Sequence, residues 1–280
     1  MTEIGIVDIR EIFRVIKSKY GYDFSQYALT SFKHRLELIM IRHNLGQPEN
    51  LINKFKNNRD FFELFLYEIS IPSTEMFRDP SLWRWLKEEH FPRVIEKNIG
   101  KYKIWLPNCV SGGELYSLAI LLKELDMLDK VNIIATSFST KSIEFIKNGQ
   151  YELKKIEVSK ENYRRFKGTS SFSEYYDLDR YYANRDVNLI KDVEFNRINI
   201  DFSESPQNVK LIFFRNSLIY YNPALQDKIL ELMHKCLSAS GNLVLGIQER
   251  IKNISTRKDF EIVNEAESVY KKRISVKNEI

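Results

Sequence analysis

Apolar residues recur at three- and four-residue spacing through the first quarter of the chain. Ile9, Ile12, Phe13, Ile16 and Tyr20 mark one face of a helix. Tyr27 to His43 predicts a second amphipathic helix, and a turn at Asn44–Pro48 separates it from a third carrying Leu51, Ile52 and Phe55. Asp60 to Ile69, rich in Phe and Leu, predicts a fourth. The pattern breaks at Ile71-Pro72-Ser73-Thr74, because proline pushes the residue before it out of the helical region. Thr74 to Pro80 then leads into a helix with Trp83, Trp85 and Leu86. We place a boundary here: residues 1–79 form a helical domain with its linker, and residues 80–280 form a second domain.

From Lys101 onward short apolar runs alternate with helical segments. Strands are predicted at Lys103–Pro107, Val131–Thr136, Lys210–Phe214 and Asn242–Gly246, with Val269–Ile274 as an edge strand. Helices are predicted at Glu114–Leu125, Thr140–Asn148 and Ala224–Ser238. Such alternation implies a doubly wound α/β domain, Rossmann-like, with a mainly parallel sheet and right-handed crossovers. The alternation lapses over residues 151–196, which are polar and hold Tyr163, Tyr175, Tyr176, Tyr181 and Tyr182. This segment predicts a helix followed by a small antiparallel insertion.

Composition narrows the class. The chain has 280 residues, 43% of them hydrophobic and 13% aromatic, which suffices for a real core and argues against disorder. No apolar run is long enough to span a bilayer. The start, MTEIGIVDIREIF, lacks a basic region followed by an apolar stretch, so no secretory signal is expected. Two cysteines, Cys109 and Cys236, without metal-ligand spacing fit a reducing cytoplasm. A net charge of +5 permits an acidic partner surface but is too weak to argue for nucleic acid. No metal site is expected, since His34, His43, His90 and His234 show no ligand spacing.

The most informative stretch is Trp105–Leu122, WLPNCVSGGELYSLAILL. It reads as a strand, a turn at Gly112-Gly113 and a helix opening near Glu114. Glycines let a backbone approach a ligand closely, and a helix N-terminus offers unpaired N–H groups. A cationic, ribose-bearing ligand also needs carboxylates, and this turn has few.

Four ordered segments together resemble the CheR family, S-adenosylmethionine-dependent methyltransferases that esterify glutamates of chemoreceptors. They are TEMFRDP (Thr74–Pro80), NCVSGGELYSLA (Asn108–Ala119), FFRNSLIYYN (Phe213–Asn222) and LGIQE (Leu245–Glu249). YGYDFSQYALTSFKHRL (Tyr20–Leu36) is similar to the family's helical N-terminal module. The resemblance covers nearly the whole chain and implies S-adenosylmethionine as cofactor, with an S-adenosylmethionine methyltransferase domain after the helical one.

The resemblance also assigns residues. Arg78 and Tyr220 are implied to flank the transferred methyl group. The alternatives are that Arg78 pairs with Asp79 or caps a helix, and that Tyr220 only packs. Thr74, Gly112, Gly113, Glu114, Ser137, Asn199 and Asn216 fall at implied cofactor positions. Gly113 and Ser137 stand where the family places acids, for the cofactor's ammonium and the ribose diol respectively, and Pro72-Ser73 replaces a polar pair. Glu114 also suits the first turn of a helix for its dipole alone. Ser137, Asn199 and Asn216 also suit ordinary strand ends and turns. Lys33, His34, Arg35 and Arg42 are expected to form a basic face on the second helix. The family uses such a face on acidic receptor helices; the alternative is a solvated surface.

Two functions follow. One is a methyltransferase acting on glutamates of a helical chemoreceptor or receptor-like signalling protein, monomeric, without membrane insertion or nucleic acid. The other is a catalytically inactive signalling or scaffold protein that kept the fold and lost the cofactor. A nucleic-acid methyltransferase would need a basic stripe that the sequence lacks.

Overall fold

The computed structural model describes residues 4–70, 74–95 and 98–274. Four helices open the chain: α1 (Ile6–Tyr20), α2 (Leu29–Arg42), α3 (Pro48–Asn57) and α4 (Arg59–Ile69). Their ends follow local chemistry. Gly21 takes a left-handed conformation (φ 78°) and closes α1, Pro48 opens α3, and the Asn58 side chain accepts from the Phe61 N–H to cap α4. The Pro72-Ser73 pair lies outside the described residues.

After the linker, α5 (Pro80–Trp85) continues through a π-helical turn into α6 (Phe91–Val94). The α/β part follows: β1 (Tyr102–Leu106), α7 (Gly113–Glu124), β2 (Val131–Ser137), α8 (Thr140–Lys147) and β3 (Gln150–Glu152). Next come α9 (Ile156–Phe166), β4 (Tyr176–Leu178), β5 (Tyr182–Arg185), β6 (Glu194–Arg197) and β7 (Val209–Phe213). The chain ends with α10 (Pro223–Cys236), β8 (Leu237–Val244), α11 (Ile254–Lys258), β9 (Phe260–Asn264) and β10 (Val269–Lys272).

The main sheet has the order β6-β2-β1-β7-β8-β10-β9. Its first five strands are parallel neighbours, and β10 and β9 add antiparallel. The expected antiparallel insertion is present as a three-stranded sheet, β3-β5-β4. Two details differ from expectation. Residues 194–197 belong to the main sheet, as β6 beside β2. The segment expected as an edge strand is β10, and it lies inside: the edge is β9, whose Phe260 is buried while Glu261 and Val263 face out. Burial alternates along Phe260–Asn264, but the residue types do not: Val263 is apolar and exposed, and Glu261 is the one charge.

Strand alternation sends side chains to two cores. Trp105, Ile134, Ile212 and Phe214 point to the face that the helical domain covers, and they join Phe24, Phe32, Phe62 and Phe65 in one apolar cluster. Ile104, Leu106, Leu211 and Phe213 point to the opposite face, against α7, Phe77 and Trp83. The helical domain is thus seated on the sheet beside the strand ends that carry the candidate site. Backbone bonds reinforce this seat. The Ala28 N–H donates to the Tyr220 carbonyl (2.8 Å), and the Asn222 N–H donates to the Gln26 carbonyl (2.9 Å).

Candidate functional site

The site grows from the end of β1. Asn108 takes a left-handed conformation (φ 56°), and the Cys109 N–H donates to the Thr136 carbonyl (2.6 Å), tying the turn to β2. Gly112 is also left-handed (φ 74°), and a Cβ there would sit 3.0 Å from Ile146. A side chain is disfavoured on both counts. Gly113 then begins α7.

The linker lies directly over this turn. A Cβ on Gly113 would come within 2.5 Å of the Thr74 carbonyl oxygen, closer than atoms can pack. Hydrogen bonds hold the linker there. The Phe77 N–H donates to Ser117 Oγ (2.7 Å), and Ser117 Oγ donates to the Gly113 carbonyl (2.8 Å). Tyr151 Oη donates to the Thr74 carbonyl (3.2 Å), and Asn162 Nδ2 donates to the Met76 carbonyl (3.1 Å). The insertion therefore clamps the linker onto the ligand turn.

Three charged groups meet beside it. The Arg215 side chain is fully buried, and it donates from Nη2 to Asp79 (2.5 Å) and from Nη1 to Glu114 (2.6 Å). Burial pushes the Glu114 carboxyl up, against the pull of Arg215 and Arg78. Arg78 has no hydrogen bond or ion pair from its guanidinium among the described residues; Asp79, the partner considered for it, is taken by Arg215. The Arg78 carbonyl accepts from Trp83 Nε1 (2.8 Å). Burial also pushes the Cys109 thiol up to about 12, which removes it as a nucleophile at neutral pH.

Thr74, Asn108, Gly112, Gly113, Glu114 and Arg215 line a cavity of about 40 Å³. That is room for a few waters, well short of the several hundred Å³ that a cofactor-sized ligand fills. Asn108 also lines a second, smaller cavity beneath the helical domain, together with Arg35, Phe138 and Tyr220. There the Arg35 guanidinium stacks 4.1 Å from the centre of the Tyr220 ring and donates to the Ile69 carbonyl (2.7 Å).

The structure thus brings Thr74, Gly112, Gly113 and Glu114 to one cavity and Tyr220 to its neighbour. Ser137 is buried at the end of β2, where its Oγ accepts from the Ser139 N–H (3.4 Å) and its carbonyl accepts from the Ile198 N–H (3.0 Å). Asn216 is left-handed (φ 53°), and its N–H donates to Glu249 (2.8 Å). Asn199 lies in another groove, with Nδ2 3.4 Å from the Gly21 carbonyl.

The expected basic face on α2 does not form as one surface. Arg35 turns inward to Tyr220, Arg42 pairs with Glu68 (3.0 Å), Lys33 approaches Glu37 (3.7 Å), and His34 is exposed. Each helical residue rotates by about 100°, so adjacent cations point to different sides.

Besides Arg215, three residues with positions in the site have no individual role in the sequence reading. Glu249, buried, accepts from the N–H groups of Asn216, Leu218 and Gly246, each at 2.8 Å, and so sets the loop after β7. Arg185 is buried between the Tyr116 and Tyr151 rings, at 3.9 and 4.8 Å, and bonds the Gly149 and Gln150 carbonyls. Desolvation lowers its pKa to about 10, so it stays charged at neutral pH. Asn108 is the third; its place between strand and glycine turn was the available signal.

A mostly parallel sheet with a glycine turn at a helix N-terminus and a linker clamped over it defines a Rossmann-like α/β protein with a ligand turn at its strand ends. The chain belongs to the CheR methyltransferase family. Residues 7–70 match the model of the CheR methyltransferase all-alpha domain, and residues 72–269 match that of the SAM binding domain. Cher3 of Pseudomonas putida is 31% identical over 95% of this chain and 97% of its own length. The chemotaxis protein methyltransferase of Listeria monocytogenes is 25% identical over 86% of this chain and 88% of its own. Chemotaxis protein methyltransferase 1 of Pseudomonas aeruginosa is 27% identical over 87% and 90%. Among the described residues no helix is long and apolar enough to cross a membrane.

Proposed function

We propose that the protein transfers a methyl group from S-adenosylmethionine to glutamate side chains of a helical chemoreceptor or receptor-like signalling protein. The observation that carries this reading is the Arg78 guanidinium, which makes no hydrogen bond or ion pair among the described residues and lies next to a cluster in which Arg215 already engages Asp79 and Glu114. A guanidinium that feels the nearby Glu114 carboxyl but bonds no carboxylate among the described residues is suited to receive one from a substrate. The bound cofactor supplies an electrophilic methyl on a sulfonium.

A glutamate is ionised and nucleophilic at neutral pH, so no strong base is needed. Arg78 orients the incoming carboxylate, Tyr220 hydrogen-bonds near it, and the helical domain excludes water. Gly112 permits close approach of the cofactor. Thr74 and Glu114 take its amino-acid end, Ser137 offers one hydrogen bond toward the ribose, and Asn216 bounds the adenosyl side, while Asn199, in its separate groove, has no contact with it. His34, exposed on α2, faces the acidic receptor helix, while Lys33 is half-buried beside Glu37. The cavity at the turn is too small for the whole cofactor and receives only its amino-acid end.

That small cavity, with Gly113 and Ser137, favours a second reading: a scaffold that no longer binds cofactor. Calorimetric titration with S-adenosylhomocysteine separates the two. Micromolar affinity supports the enzyme, and no heat at millimolar ligand supports the scaffold.

A further inference from the structure

The side-chain oxygen of Asn108 makes no hydrogen bond among the described residues. The residue is 9% exposed, and its Oδ1 is fully buried. A buried acceptor left unpaired is costly, and native structures rarely keep one without use. The backbone at Asn108 is left-handed, which orients the side chain between the two cavities that flank it. Nothing in the turn requires this amide, since the turn is held by the Cys109 N–H and by Ser117.

The same cavity has a second uncharged acceptor. Because Gly113 lacks a side chain, the Thr74 carbonyl occupies the space beside it. Glu114 lines the cavity too, with Oε1 held by Arg215. An ammonium has three N–H donors and no acceptor. Thr74, Asn108 and Glu114 supply three acceptors around a space of about 40 Å³.

We propose that Asn108 is a cofactor-contact residue whose side-chain oxygen, with the Thr74 carbonyl, receives the ammonium at the amino-acid end of S-adenosylmethionine. This rests on the cofactor reading above and names the groups that replace a carboxylate at position 113. Gly113 is then one half of a matched pair with the linker.

The test compares two ligands by calorimetry on the full chain. S-adenosylhomocysteine carries the ammonium; 5′-methylthioadenosine keeps the adenosyl thioether and lacks the amino-acid end. Asn108→Gly keeps the left-handed backbone and removes the amide, and Asn108→Asp keeps the acceptor. The glycine variant is expected to bind S-adenosylhomocysteine about tenfold more weakly or worse, and 5′-methylthioadenosine within about twofold of wild type. The aspartate variant is expected to match or exceed wild type for S-adenosylhomocysteine. Equal losses for both ligands, no loss for either, or an aspartate variant as weak as glycine overturns the assignment while leaving cofactor binding in place. A wild-type chain that binds neither ligand removes the cofactor reading and this inference together.

Discussion

The Arg35 guanidinium of α2 lies 4.1 Å from the centre of the Tyr220 ring, so a helix of the N-terminal domain fixes a side chain of the loop after β7. Desolvation lowers the Arg35 pKa, and the facing tyrosines oppose that shift. The contact joins the two parts of the chain at the place where the reaction is proposed.

Arg35→Met is therefore expected to slow methyl transfer about tenfold, with S-adenosylhomocysteine affinity changed by less than twofold. Losing the stack and the bond to Ile69 is expected to cost about 1–3 kcal/mol of stability. Arg35→Lys does not rescue, because an ammonium cannot stack flat and donate in a fork at once. Rates and affinities measured on the same preparations decide this. A lysine variant at wild-type rate would show that charge alone matters at position 35.

Gly113→Ala gives a test of opposite sign from the usual one. At an ordinary first helical position, Gly to Ala stabilises by roughly 0.4–1 kcal/mol. Here the added Cβ meets the Thr74 carbonyl at 2.5 Å, so the linker has to move. A loss of about 1–3 kcal/mol is expected in denaturant unfolding, with weaker S-adenosylhomocysteine binding. Glutamate carries the same Cβ, so restoring an acid at 113 is expected to weaken the site as well. A stabilised alanine variant would mean that the linker does not rest on the turn.

His90 provides a pH signature. It is buried, its Nε2 lies 3.1 Å from Tyr102 Oη, and desolvation lowers its pKa from 6.5 to about 4. Between those values the unfolded chain takes up a proton that the folded chain refuses. Stability is then lost as pH falls from about 6.5 to about 4, by up to about 3 kcal/mol from this residue, and no further below. His90→Gln is expected to lose correspondingly less over that interval. Parallel stability profiles for the two proteins would show that His90 is not held neutral.

Much of the fold was legible in the sequence because both periodicities are clean. Helical spacing ends near Ile69, and strand–helix alternation begins at Tyr102. The hairpin of β9 and β10 was misjudged because Phe260–Asn264 is short and lacks a clean alternation of apolar and polar residues, and its edge position is set by pairing across the chain. The ligand turn could be read from Gly112 and Gly113, since glycine at a strand–helix junction has a local meaning. The state of Glu114 could not, because its partner Arg215 lies a hundred residues further along the chain. Arg35 read as surface charge for the same reason: only the tertiary fold brings the Tyr220 ring to it. A buried, stacked arginine such as Arg185 leaves no mark in a polar, tyrosine-rich segment.

The reaction proposed for this site is methyl transfer to a carboxylate with Arg78 as the orienting cation. It is tested most directly by incubating the full chain with methyl-labelled S-adenosylmethionine and a receptor cytoplasmic helix rich in glutamate, then releasing volatile label with base. Base-labile label is expected on the receptor, reduced at least a hundredfold by Arg78→Met with S-adenosylhomocysteine binding retained. No label from wild type, under conditions where it binds S-adenosylhomocysteine, would contradict the account.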